Sequence, residues 1–202
     1  PKPNPNPLIM KIKSLSPYHL RKIKNNLLKT YETRTDQHTE EGMQWYKTAN
    51  QMCTNMGKQL GYDPAVAAQV ISALSPRNKW ERNIIDTRTV LKAVNEGMNP
   101  KDVKVCTFHS NKNKAFEIAR GERGIDQASP KTYSFVKNIA ELDASKVTID
   151  VWHLRACFGK TIDSGLTPLR YKQLEKLTLK CAEMVGVRGY EFQAIVWGIV
   201  RN

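Results

Sequence analysis

The stretch Ser129–Arg155, which reads SPKTYSFVKNIAELDASKVTIDVWHLR, decides the predicted fold because it contains the starts of two helices. Ser129 is a residue type that caps helices, and Pro130 suits the first helical position, where its missing N–H costs nothing. A polar break and a short extended run follow, and the helical spacing of apolar residues resumes after Asp150. The sequence therefore predicts Lys131 in the first turn of one helix and Asp150 at the start of the next.

Both of these side chains are expected at the positive end of a helix. For Lys131 the like-signed partial charge disfavours the ammonium form, and a neutral amine is what a nucleophilic lysine requires. For Asp150 the same end favours the anion, which can stabilise a cationic, oxocarbenium-like sugar. Each also has a structural interpretation, since a first-turn lysine is usually a solvated charge and an aspartate before a helix is usually its cap.

The segments SPKT, at Ser129–Thr132, and VTIDVWHLR, which ends at Arg155, resemble the core of the helix-hairpin-helix DNA glycosylase superfamily, the endonuclease III-like group. The resemblance covers roughly residues 64–155. It implies that Lys131 is a Schiff-base lysine and that Asp150 is the catalytic aspartate. It also matches Arg155 to the arginine that follows this aspartate by five residues in the family.

Two departures from the family pattern indicate a divergent, phage-type member. The family hairpin reads Leu-Pro-Gly-Val-Gly, whereas residues 125–129 read Ile-Asp-Gln-Ala-Ser. Trp152 stands where the family often has histidine, and His153 follows it. The implied fold is all-α, a two-lobed helical DNA glycosylase-like fold with a degenerate helix-hairpin-helix.

The expected domain organisation has one lobe formed by both termini and one formed by the middle of the chain. Residues 10–62 and 144–202 would form the first lobe, and residues 63–143 the middle lobe with a wedge loop and the hairpin. Residues 1–9 are rich in proline and asparagine and are expected to be a disordered lead or a cloning remnant, with Met10 a candidate native start.

Two further local patterns predict secondary structure at the ends of helices. The stretch 32–41 is polar and predicts a loop before a helix over 42–60. Ser110 is predicted to cap a basic helix that Gly121 closes.

The composition is strongly basic. Lys+Arg number 32 against 19 Asp+Glu, which gives a net charge of +13 and a pI near 9.7. Such a surplus favours a polyanionic partner, and double-stranded DNA is the predicted one, bound by a monomer. No run of 18 apolar residues exists, so no membrane association is expected. Four scattered cysteines fit reduced thiols in a cytosolic protein. The resemblance to a phage-type member implies the cytoplasm of a bacterial or phage-infected cell.

The loop after residue 74 reads SPRNK and, in the resembled family, a loop at this place pushes side chains into the duplex where a base has flipped out. The alternative is an ordinary turn, and basic residues on the following helices would by default form a solvated face. The predicted DNA-contacting residues are Arg77, Asn78, Lys79, Lys112, Lys114, Ser129 and Thr132.

Aromatic residues and one histidine are the candidates for a substrate pocket. Trp45, Tyr46, Trp152 and His153 could stack on or contact a flipped base. Aromatic residues at helical spacing are more often part of a core.

No metal or cofactor is expected. Cys106 with His109, and His153 with Cys157, have spacings that zinc accepts, but neither pair has a knuckle turn. An iron–sulfur cluster would need four clustered cysteines after the catalytic region, and only Cys157 and Cys181 lie there.

The activity implied by the resemblance is excision of a flipped modified or damaged base by a DNA N-glycosylase, with an AP-lyase step if Lys131 forms a Schiff base. A second enzyme on the same scaffold would tailor a modified pyrimidine in DNA instead of excising it. The third alternative is a DNA-binding module without catalysis.

Overall fold

The computed structural model describes residues 14–159 and 166–201 of the chain. This part of the chain is all-helical and contains no strand, so the predicted all-α class is confirmed. The lead predicted for residues 1–9 lies outside the described residues. The described helices are α1 (Pro17–Glu32), α2 (Asp36–Leu60), α3 (Pro64–Leu74), α4 (Trp80–Asn95), a 3₁₀ helix (Pro100–Asp102), α5 (His109–Ala119), α6 (Pro130–Glu141), α7 (Val151–Phe158), α8 (Pro168–Met184) and α9 (Gly189–Arg201).

The chain divides into two compact units. The terminal unit contains the described residues up to Tyr46 and from Asp143 onward, and the middle unit contains Lys47–Leu142. The first boundary therefore falls inside α2, whereas the sequence places it after residue 62. The apolar period of a long helix does not show where along its length the packing partners change.

A capping side chain followed by proline marks three helix starts. Ser16, Asp63 and Thr167 each accept a hydrogen bond from a first-turn N–H, at 3.3, 2.7 and 3.3 Å respectively. A proline follows each of them at the beginning of the helix. These side chains satisfy N–H groups that have no acceptor within the helix, and so they fix where the helices begin.

The prediction of a loop over residues 32–41 is wrong for most of that stretch, because α2 begins at Asp36. The first turns of α2 are stabilised locally, since the Gln37 side chain donates a hydrogen bond to the Glu41 carboxylate at 2.8 Å. A polar turn of this kind carries no apolar period, so the hydrophobic pattern did not indicate it.

The start of α5 also differs from the prediction. The helix begins at His109 with Phe108 in the N-cap position, and no side chain of that residue caps it. Ser110 lies inside the first turn instead of capping the helix.

The terminal unit forms its core around α9. This helix packs against α1, α7 and α8, and α1 also packs against α7 and α8. Phe192, Ile195 and Val196 of α9 are fully buried. Tyr31 of α1 stacks on Phe192, with ring centroids 5.0 Å apart. The apolar side of α9 is therefore the centre of this unit.

Helix α2 approaches α9 closely at Gly42, which is buried. A Cβ atom on Gly42 would lie 2.7 Å from the backbone nitrogen of Ile195 and 2.8 Å from its Cα atom. Backbone atoms cannot move aside as the end of a flexible side chain can. The close approach explains a glycine inside a helix, where it costs about 1 kcal/mol relative to alanine.

The middle unit is organised around α3, which packs against α4, α5 and α6. Its sequence, PAVAAQVISAL, is apolar on nearly all sides, and seven of its 11 residues are buried. A helix of this composition is typical of a domain centre. Trp80 of α4 contacts Phe135 of α6 edge-on, with ring centroids 6.5 Å apart.

Replacing Gly42 with alanine should lower the free energy of unfolding by about 1–3 kcal/mol, because the added methyl group overpacks the contact with α9. Urea unfolding followed by circular dichroism measures the change. Gln44→Ala, at an exposed position of the same helix, is the matched control and should change stability by less than about 0.5 kcal/mol. An unchanged or higher stability of Gly42→Ala would contradict the described packing.

Candidate functional site

The segment that leads to Asp150 is buried and non-helical, and side chains of α8 satisfy its backbone. The Tyr171 hydroxyl donates to the carbonyl oxygen of Val147 at 2.7 Å and accepts from the N–H of Ile149 at 3.1 Å. The N–H of Val147 donates to Oε1 of Glu175 at 3.0 Å. Helix α8 therefore determines the path of the chain into α7.

Asp150 is the N-cap of α7, with extended backbone angles of φ −97° and ψ −177°. Its Oδ1 atom accepts a hydrogen bond from the N–H of His153 at 2.8 Å. The residue is half-buried. The structural interpretation of Asp150 as a helix cap is thus correct, and its carboxylate lies at the positive end of a helix.

The phenol of Tyr46 lies in the buried surroundings of this carboxylate. Burial raises the pKa of Tyr46 well above its ordinary value, a hydrogen bond with Thr148 opposes that rise, and the charge of Asp150 adds to it. The Tyr46 hydroxyl also donates to Oε1 of Gln193 at 2.9 Å. Tyr46 remains a neutral hydrogen-bonding group in this environment.

Arg155 lies one turn further along α7, and its guanidinium group stacks over the Trp152 ring at 4.2 Å. Its Nε atom is buried and has no hydrogen-bond partner among the described residues. Trp152 is half-buried. The stacking therefore holds the Arg155 cation against another side chain of α7.

Lys131 is exposed in the first turn of α6, in the middle unit. Ser129 occupies the predicted N-cap position, but its side chain makes no capping hydrogen bond. Its carbonyl oxygen accepts from the N–H of Tyr133 at 2.9 Å. The N–H groups of Lys131 and Thr132 belong to the first turn of α6, where N–H groups have no acceptor within the helix.

The connection before α6 turns without the glycines of the family hairpin. Asp126 makes the turn instead, since its carboxylate accepts from the N–H of Ala128 at 2.9 Å and its carbonyl from that of Ser129 at 3.2 Å. The side chain of Gln69 in α3 accepts from the N–H of Ile125 at 2.9 Å. An aspartate turn that is tied to α3 therefore precedes α6.

The predicted wedge loop presents Arg77 at the surface. Arg77 has a left-handed backbone, with φ +58°, which is uncommon for a residue other than glycine. Its guanidinium group lies 5.7 Å from the ring centroid of Phe108, and this ring is 54% exposed. No signal in the sequence distinguishes this exposed phenylalanine from a core aromatic residue.

A buried carboxylate, Asp86 of α4, ties this loop to the rest of the middle unit. Its oxygens accept from Arg82 Nε at 2.8 Å and from Asn78 Nδ2 at 3.0 Å. It also accepts from the N–H of Cys106 at 2.9 Å. The Asn78 side chain therefore binds Asp86 within the middle unit. The exposed residues of the predicted loop are the cations Arg77 and Lys79.

Lys112 is not the surface phosphate contact that the sequence predicts. Only 7% of it is exposed, and its Nζ atom donates to the carbonyl oxygen of Val103 at 2.9 Å. Lys114, the second predicted contact on α5, is half-buried. A lysine in a polar stretch looks solvated in the sequence, and only the packing of the preceding loop shows that Lys112 is enclosed.

Two of the four predicted pocket residues belong to the core. Tyr46 is 2% exposed, and His153 is fully buried with its Nε2 atom 2.9 Å from the Thr178 hydroxyl. Burial lowers the pKa of His153 to about 4, and its Nδ1 atom has no described partner. Trp45 and Trp152 are half-buried and stay candidates.

The described residues contain no group of three or more His, Cys, Asp or Glu side chains that could hold a metal ion. The four cysteines are all free thiols, and Cys106 is the exposed one. No helix there is long and apolar enough to cross a bilayer.

Residues 10–202 match the model of a family described as a family of unknown function, DUF7178, and the chain belongs to that family. No curated protein and no solved structure matches the chain.

Acidification should destabilise the protein through His153. An unfolded histidine has a pKa near 6.5 and the folded one about 4, so between these values the unfolded state binds more protons and stability falls as the pH falls. The loss approaches about 3 kcal/mol at the acid end. Urea unfolding at about pH 7.5 and about pH 4.5 should show a smaller loss for His153→Gln than for the wild type. Equal losses would contradict the buried neutral histidine.

Removing the charge of Asp86 should lower stability by about 2 kcal/mol or more, because three donors lose a buried anionic acceptor. Asp86→Asn keeps the shape of the side chain and isolates the charge. The exposed Asp102→Asn serves as the control in the same urea unfolding experiment. If the two variants were equally stable, the role assigned to Asp86 would be wrong.

Proposed function

We propose that this member of the DUF7178 family binds double-stranded DNA and excises a modified or damaged base that is flipped out of the duplex. The proposal rests on the environment of Asp150. A half-buried carboxylate stands at the positive end of α7, and the chain before it is held by Tyr171 and Glu175. Such a group is positioned to stabilise positive charge without reorganising.

In the proposed reaction the N-glycosidic bond between C1′ of the deoxyribose and the base breaks. The bonding electrons leave with the base, which takes up a proton, and positive charge develops on the sugar. The Asp150 carboxylate stabilises this charge. The resemblance implies a further step, in which the Lys131 amine donates its lone pair to C1′. Its proton passes to O4′ as the C1′–O4′ bond breaks, and a protonated Schiff base forms.

The affinity for DNA is assigned to exposed positive groups and to the start of α6. The chain carries a net charge of +13, which favours a polyanion. The N–H groups of Lys131 and Thr132 would bind a phosphate oxygen, as helix starts do in other proteins. Arg77 and Lys79 are exposed on the wedge loop and would contact the backbone.

The contact between Arg77 and Phe108 supports base flipping. An exposed aromatic ring next to a cation can enter a base step, and unstacking a step costs a few kcal/mol. The left-handed backbone at Arg77 and the hydrogen bonds of Asp86 hold the loop in the conformation that presents both groups.

Borohydride trapping of the protein on duplexes with modified bases tests the proposal. The wild type should form a covalent adduct, Lys131→Ala should form none, and Asp150→Asn should slow excision by about a hundredfold or more. Asparagine is also a good helix cap, so this variant removes the charge and preserves the fold. Lys58→Ala, an exposed lysine on α2, is the control and should behave as the wild type. Wild-type activity in Lys131→Ala and Asp150→Asn would contradict the assigned roles.

A second candidate function is DNA binding without catalysis. One observation favours it, since Asp150 makes the hydrogen bond to His153 that any capping aspartate would make. In this case no base would be released, Asp150→Asn would bind DNA as the wild type does, and replacing Arg77 with alanine would weaken binding. Measuring release and binding on the same duplexes separates the two functions.

A further inference from the structure

A cleft of about 530 Å³ lies within the middle unit, next to the 3₁₀ helix and along α5. Its volume is in the range of sites for small molecules. The cleft is lined by three cationic side chains, those of Lys101, Lys112 and Arg120. His109, the first residue of α5, also lines it. None of these groups has a part in the proposed excision reaction.

Lys112 is the most unusual of the lining residues. It is 7% exposed, and one N–H of its ammonium group donates to the carbonyl of Val103 at 2.9 Å. No carboxylate of the described residues forms an ion pair with it. An ammonium group has three donors, and a buried charge without a counter-ion is unfavourable. An anion in the cleft would supply the missing negative charge.

Arg120 is the second cation and is held in place at the surface of the cleft. Its guanidinium carbon lies 5.5 Å from the ring centroid of Phe116, and one terminal nitrogen donates to the carbonyl of Met98 at 3.3 Å. A guanidinium group has five N–H donors in a planar fork that matches phosphate oxygens. The contacts with the protein leave several of these donors available.

The carboxylates of the cleft do not cancel this charge. Glu117 is paired with Arg123, which does not line the cleft, at 3.0 Å. Glu122 remains as a single negative charge. Against it stand the three cations Lys101, Lys112 and Arg120, so the lining keeps a positive excess.

We propose that this cleft binds the phosphate group of a small phosphomonoester of about the size of a nucleotide. The dianion would neutralise Lys112, and the fork of Arg120 would bind two of its oxygens. The exposed Lys101 would add a further cation at the rim. The proposal does not depend on DNA excision, because none of these residues has been assigned to the reaction.

Isothermal titration calorimetry in a phosphate-free buffer tests the site, with inorganic phosphate and a nucleoside 5′-monophosphate as separate probes. We expect binding of both, and tighter binding of the nucleotide if the cleft holds more than the phosphate. Arg120→Gln should weaken binding about tenfold or more, and Lys101→Gln should weaken it several-fold. Both positions are exposed, so the fold should be unaffected.

Lys104→Gln is the matched control, because this lysine is exposed on the same connection but does not line the cleft. It should bind both probes as the wild type does. Absence of binding by the wild type at millimolar concentrations would overturn the proposal. Equal binding by Arg120→Gln, Lys101→Gln and Lys104→Gln would also overturn it, since the anions would then be held elsewhere. Excision of bases by the same variants, measured in parallel, keeps this outcome separate from the proposed reaction.

Discussion

The hydrogen bonding of the chain before α7 is the constraint on which the candidate site depends. Buried backbone N–H and C=O groups need partners, and the described part of the chain has no sheet to provide them. Tyr171 and Glu175 provide them instead, through three hydrogen bonds to Val147 and Ile149. Because these two side chains lie four residues apart on α8, one helix determines both the path of the segment and the position of Asp150.

This arrangement gives Asp150 a structural role that is compatible with catalysis. The Oδ1 atom of Asp150 accepts a hydrogen bond from the N–H of His153. The same bond fixes the orientation of the carboxylate, and a fixed negative group is what a developing cation requires. Lys131 contrasts with it, since it is an exposed and flexible side chain at a helix start without a side-chain cap.

Local signals in the sequence predicted much of the fold, because proline and capping residues act within one turn of the chain. The helix starts after Ser16, Asp63 and Thr167 are of this kind. Burial depends on residues distant in sequence, and here the predictions failed. Lys112 is enclosed by the preceding loop, where the carbonyl oxygen of Val103 accepts a hydrogen bond from its ammonium group. His153 is covered by α8, to which it is linked by a hydrogen bond with Thr178. Spacing and resemblance predicted the residues of the candidate site, whereas the side chains of α8 that hold the segment before Asp150 had no signature in the sequence.

The central claim is that the chain releases a base from DNA. Mass spectrometry of reacted duplexes that carry different modified pyrimidines and purines tests it most directly. The account predicts a free base together with DNA that has lost the mass of that base at the modified position. A nucleoside of altered mass, or DNA unchanged with every duplex, would contradict it.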